Sequence, residues 1–180
     1  MKMKIKSPTD MEGEKRLSAE FFSRDVLEVA PELIGKYLVI RRGSVPERYM
    51  ITETEAYRGT EDKACHASQG ETPRNRVMYG RGGRIYVYLI YGMYWMLNFV
   101  TGEENNPQAV LIRALEGLTG PGKLTRELGI DRSFYGEDLA VSGRIWVEDG
   151  GISPSFRQGP RIGIDYAGEF WKNKPWRYYI

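Results

Sequence analysis

Glu53, Glu55 and Tyr57 alternate along the chain with Thr52, Thr54 and Ala56. That period of two belongs to a β-strand, in which residues i, i+2 and i+4 share a face. At about 3.3 Å of rise per residue, carboxylates at i and i+2 stand roughly 7 Å apart. Two carboxyls so spaced can act as acid and base on a glycosidic bond, because inverting glycosidases hold theirs about 6.5–9.5 Å apart. Two glutamates on an exposed polar face give the same pattern, so the spacing leaves both readings open. A second concentration of chemistry follows. Tyr57, Tyr79, Tyr86, Tyr88, Tyr91 and Tyr94, with Trp95 beside them, make up half of the chain's 12 tyrosines. Between Thr72 and Gly102 there are four arginines (Arg74, Arg76, Arg81 and Arg84) and no acidic residue. Guanidinium groups interleaved with flat rings suit a nucleic acid, the cations holding phosphates and the rings stacking on bases. The competing reading places Tyr86 and Tyr88 in a strand core, where tyrosine is favoured.

Two glycine-containing turns add donors for an anion. Gly80-Arg81-Gly82-Gly83-Arg84 carries two arginines, and Gly120-Pro121-Gly122-Lys123 precedes a helical pattern. Neither completes a nucleotide-triphosphate fingerprint. Both can offer backbone N–H groups to a DNA phosphate, or serve as ordinary turns. One cysteine, Cys65, and one histidine, His66, exclude an internal disulfide and a cysteine-rich zinc site, so neither metal nor cofactor is expected. No apolar run approaches the roughly 20 residues that span a bilayer, and no apolar stretch follows the N-terminal lysines. A cytoplasmic, reducing setting with no membrane partner is the corresponding expectation.

The elements that must position these residues follow from the same sequence. The length of 180 residues, with 41% hydrophobic and 28% charged, fits one globular domain. Residues 1–16 read as a mobile arm and 17–180 as the domain. Ser18 and Ser23 are candidate caps for two short helices, the second over Asp25–Ile34 and stopped at Gly35. Strands are expected at 37–40, 49–57, 84–91, 93–100, 109–115, 145–148 and 161–164. Residues 58–83 lack periodicity and form a long loop of the kind that carries function. Pro121 opens a helix that ends at Gly129. The sum is one compact α+β domain with a curved, largely antiparallel β-sheet flanked by helices.

Several ordered motifs together resemble the alkyladenine (3-methyladenine) DNA glycosylase family. They are Thr52-Glu53-Thr54-Glu55-Ala56-Tyr57, Glu61 to Ala67, Thr72-Pro73-Arg74-Asn75-Arg76, Tyr86 to Tyr94 with Asn98, and Leu111 to Glu116. The likeness runs from Phe21-Phe22 to Trp176-Arg177-Tyr178-Tyr179. It implies roles by position. Glu55 matches the base that deprotonates the attacking water, and Arg113 a residue that holds that water. Tyr57, His66 and Tyr88 match the walls around a flipped base, and Tyr86 a partner of the pocket histidine. Tyr91 matches the side chain that plugs the gap in the duplex, and Asn98 the residue that excludes the amine of normal guanine. Arg74, Arg76, Arg81 and Lys123 are the backbone-contact candidates. The stretch from Ala67 to Glu71 departs from the family in lacking arginines, and the segment between Leu118 and Gly120 is short. The implied partner is double-stranded DNA with a damaged purine, bound by a monomer. For neutral lesions, solvent or His66 is the available acid. A non-catalytic single-strand-binding module and a carbohydrate hydrolase built on Glu53 and Glu55 are the alternatives.

Overall fold

The computed structural model describes residues 16–180. Of the expected arm, residues 1–15 therefore lie outside the described residues. Arg16 is docked, bridging to Glu148 with its guanidinium 4.5 Å from the Trp146 ring centroid.

Helices α1 (Ala19–Phe22) and α2 (Val26–Glu32) open the domain. Ser18 is the N-cap residue of α1. The cap of α2 is Asp25 and not Ser23: its carboxylate accepts the N–H of Leu27, while the Ser23 hydroxyl turns back to the Ala19 carbonyl. A carboxylate at the positive end of a helix outcompetes a hydroxyl two residues earlier. Nine strands follow among the described residues: β1 (Tyr37–Ile40), β2 (Glu47–Arg58), β3 (Ile85–Ile90), β4 (Tyr94–Thr101), β5 (Gln108–Leu115), β6 (Leu118–Thr119), β7 (Ile145–Glu148), β8 (Arg157–Gly159) and β9 (Arg177–Tyr179). Helix α3 (Pro121–Leu128) lies between β6 and β7, and α4 (Glu169–Lys172) between β8 and β9. The main path of the sheet runs β3-β4-β5-β2-β1-β7. β6 pairs with β5, β8 with β9, and β9 with β2, all antiparallel. The sheet is antiparallel and does not close, and the helices are separate from it, so the architecture is α+β.

Long strand β2 is the spine of the site. Its first half pairs with β1; its second half has β5 on one side and β9 on the other. Ile51, Thr54 and Ala56 are fully buried, and the Thr54 hydroxyl donates to the Ala30 carbonyl of α2 at 2.9 Å. Glu53 and Glu55 take the opposite face. The β2–β5 register shifts twice here, and the second shift passes over Arg113. A residue left unpaired at such an irregularity has its side chain re-aimed.

The strand expected at 161–164 is absent; that segment is loop, and the short strands lie at 157–159 and 177–179. The reason is the use made of its polar groups. Arg161 spends its guanidinium on a buried carboxylate, and the Ile162 N–H goes to a side chain instead of a ladder.

Candidate active site

Glu55 has no exposed surface. Its Oε2 accepts the Tyr57 hydroxyl at 2.7 Å, and its Oε1 accepts the Ile162 backbone N–H at 2.7 Å. Arg113 Nε stands 3.6 Å from Oε1 but only 3.2 Å from Oε1 of Glu53. Arg177 Nη1 reaches the same Glu53 oxygen at 3.2 Å. β2 thus supplies two carboxylates, and β5 and β9 each bring an arginine to it. Burial pushes the Glu55 carboxyl above its ordinary value, opposed by the Arg113 charge and the two hydrogen bonds. Glu53 serves as the anchor of the two arginines, which distinguishes it from Glu55.

Beside this cluster is a cavity of about 320 Å³, lined by Tyr57, His66, Tyr88, Asn98, Arg113 and Ile162 among others. That size falls in the range of about 300–1,000 Å³ typical of small-ligand pockets. Glu55 lies just behind the wall, since Tyr57, Arg113 and Ile162 touch both it and the cavity. His66 Nδ1 is 2.8 Å from the Tyr86 hydroxyl, and its ring centroid is 4.5 Å from that of Tyr88. Asn98 Nδ2 donates to the Tyr86 carbonyl at 3.2 Å, which fixes its amide at the cavity edge. Burial lowers the His66 pKa to about 4, so the imidazole is neutral near pH 7 and holds no imidazolium proton to give.

That shift has a consequence for stability. The unfolded chain takes up the proton near the ordinary histidine value of 6.5, and the folded chain only near 4. Stability from the neutral ring is whole above pH 6.5 and declines as pH falls toward 4. Urea unfolding at pH 7.5 and pH 5 should show a smaller acid loss in His66→Asn than in the wild type. Equal losses would contradict the buried neutral ring.

The family model for methylpurine-DNA glycosylase (MPG) matches residues 20–119 and 116–180. The chain belongs to this family. The glycosylase is similar to proteins named "Putative 3-methyladenine DNA glycosylase" in several microorganisms. One from Methanocella arvoryzae is 46% identical, covering 91% of this chain and 91% of the relative. One from Desulfitobacterium hafniense is 47% identical over 92% of this chain and 95% of its own. One from Legionella pneumophila (strain Corby) is 43% identical over 92% and 94%. The protein is therefore a DNA glycosylase, a hydrolase of N-glycosyl bonds with DNA as its substrate. Both alternatives, the binding module and the carbohydrate hydrolase, give way to that family membership.

The glycosylase places its expected residues unevenly. Tyr57, His66, Tyr86, Tyr88, Asn98 and Arg113 line the cavity, and Glu55 lies behind it against Arg113. Tyr91 also lines it, from the tip of the β3–β4 hairpin, at 86% exposure and φ +51°. Arg74 lies near the cavity wall, its guanidinium 5.1 Å from the Tyr88 ring centroid. Lys123 flanks the start of α3 with Tyr94 and Arg126. Arg76 pairs with Glu71, and Arg81 sits 3.8 Å from Asp138. Within the glycine-rich turn, Gly82 packs against the backbone of α1: a Cβ there would stand 2.3 Å from the Phe22 carbonyl oxygen. Close packing, independent of any phosphate, thus requires glycine at 82. No helix among the described residues is long and apolar enough to cross a membrane, and no cluster of three metal-ligating side chains occurs among them.

Three contributors have no role assigned to them by the sequence of the glycosylase. Arg177 arrives on β9, Ile162 acts through its backbone, and Arg161 pairs with Asp62 across 99 positions. Asn75 sits inside a motif, yet its work is structural: Nδ2 donates to the carbonyls of His66 and Gly70, and Oδ1 accepts the Thr72 N–H. It shapes the turn that presents His66.

Proposed function

We propose that this glycosylase excises alkylated or deaminated purines from duplex DNA, with Glu55 activating the attacking water. The observation that carries the reading is a desolvated carboxylate directly behind an aromatic cavity of about 320 Å³. A base inside the stack is out of reach, so the nucleotide is flipped out at a cost of a few kcal/mol, least for a damaged base. The rings of Tyr57, His66 and Tyr88 stack on it, most strongly when alkylation has made the purine cationic. As the N-glycosidic bond breaks, the sugar gains oxocarbenium character, which a nearby carboxylate stabilises. Glu55 then takes a proton from the water that adds to C1′, and Arg113 holds that water. The free base leaves and an abasic site remains. A cationic base departs without protonation; hypoxanthine and ethenoadenine draw a proton from solvent. No lysine lines the cavity among the described residues, which supports a water nucleophile without strand cleavage.

One protein to each flipped nucleotide suffices in this scheme, and the enzyme acts as a monomer in it. Arg74, beside the cavity wall, is the nearest candidate for a phosphate contact; Lys123 in the first turn of α3, Arg76 and Arg81 are the outer ones.

The test is a base-release assay on duplexes carrying 3-methyladenine, 7-methylguanine, hypoxanthine or ethenoadenine. Free base and an intact, abasic strand are expected from at least the cationic pair. Absence of release from all four would refute the proposal. Asn98 provides a second measurement. Its amide fills the cavity edge, so Asn98→Ser should increase release of unmodified guanine severalfold; an unchanged base spectrum would exclude steric rejection by that amide.

A further inference from the structure

Asp62 and Arg161 form an ion pair in which both side chains are 0% exposed. Arg161 Nη1 lies 2.6 Å from Oδ2 of Asp62, and Nη2 lies 2.9 Å from Oδ1. The carboxylate also accepts the N–H groups of Arg58 at 3.0 Å and Ala64 at 3.1 Å. The guanidinium donates to the Ala56 carbonyl at 2.9 Å, and its carbon lies 4.8 Å from the Tyr57 ring centroid and 5.0 Å from that of Trp176. Taking two charges wholly out of water is costly even when they are paired. Joining a loop to a sheet does not require it, because apolar contacts do that without the penalty. What the pair adds is direction. It ties residue 161 to β2 at Ala56 and Tyr57, the two residues after Glu55. The next residue, Ile162, then presents its N–H 2.7 Å from Glu55 Oε1.

We propose that Asp62 and Arg161 are positioning residues for catalysis: their buried pair places the Ile162 N–H, and that N–H aims the Glu55 carboxylate. The inference rests on the reading of Glu55 as the base and names what controls it. Without this hydrogen bond the carboxylate loses a donor in a desolvated place. Its other neighbours remain: Glu53 and Tyr57 on β2, Arg113 on β5, Tyr88 on β3, and Arg177 on β9 through Glu53. The ionised form is then less favoured, and its aim toward the cavity is lost.

The test uses charge-conserving changes, so that long-range electrostatics stay constant. Arg161→Lys keeps the cation and removes the fork. Asp62→Glu keeps the anion and displaces it. A backbone-ester analogue at position 162 replaces that N–H with an ester oxygen and leaves every side chain unchanged. Single-turnover base release from methylated duplex is followed against pH, and the Glu55 carboxyl is titrated by carbon NMR. Each change should slow release by about 10-fold to 10²-fold, as a small misplacement of a catalytic group does. Each should also move the acid limb of the rate profile, and the Glu55 titration, to higher pH. Arg161→Lys combined with the ester should be no slower than the ester alone, since both act through one hydrogen bond. Folded Arg161→Lys or Asp62→Glu protein with an unmoved Glu55 titration, or effects that multiply in the combination, would overturn the proposal. If Arg161→Lys does not fold, Asp62→Glu reads the same link. Should the wild type release no base, the catalytic reading of Glu55 fails, while the carboxyl titration still decides this one.

Discussion

Glu55→Gln should lose base release by about 10²–10⁴-fold, the span that a general base contributes, while binding to an abasic-site duplex persists. Glutamine is nearly isosteric and keeps an acceptor for the Ile162 N–H, so the pocket retains its shape. What disappears is a negative charge beside the developing cation and a group able to take the water's proton. Glu53→Gln separates this from a general need for carboxylates. It leaves an oxygen that can still accept from Arg113 and Arg177 but removes the charge that anchors them. The Glu55 pKa then falls, because a like charge beside it is gone. In the wild type, activity is lost as pH drops through a Glu55 pKa held above the usual glutamate value by burial. In Glu53→Gln that acid limb should move down. Single-turnover excision across pH checks both variants; release by Glu55→Gln at the wild-type rate would end the mechanism.

The second large effect belongs to Tyr91. Its φ of +51° is a conformation that an aromatic residue rarely adopts, and the residue is 86% exposed at the hairpin tip. Ile90 and Tyr94 pair across the turn, and Met93 N–H closes it on the Ile90 carbonyl, so the tip is held while the ring stays free. Backbone strain with an exposed ring contributes nothing to stability, which points to selection for another task. A wedge entering the duplex offsets unstacking worth a few kcal/mol. Tyr91→Ala should therefore slow excision from duplex by about 10²-fold, at about 1.4 kcal/mol per tenfold. Excision from single-stranded DNA, where no stack is opened, should change little. Stability should stay within about 0.5 kcal/mol, as for an exposed site. Equal losses on both substrates would place Tyr91 in the base pocket and not in the duplex.

Much of the fold was legible because its strands carry strong local patterns. Tyr37–Ile40 and the alternating stretch through Tyr57 are read directly from side-chain periodicity. So is the Pro121 to Gly129 helix, with Gly129 left-handed at φ +68°. The segments that failed are those whose polar groups are satisfied over long range: 161–164 looked like a strand and is a loop, while 177–179 joined the sheet unannounced. Residue types and motif order in the sequence alone were enough for the family, the two glutamates on one face, and the aromatic set around His66. Only tertiary structure decided between the two glutamates. Strand periodicity makes Glu53 and Glu55 equivalent; the arrival of β5, β9 and the 161–164 loop around β2 makes one an arginine anchor and the other a desolvated carboxylate. Burial and partner geometry set a carboxyl's reactivity, and both depend on segments some 60 to 120 positions away.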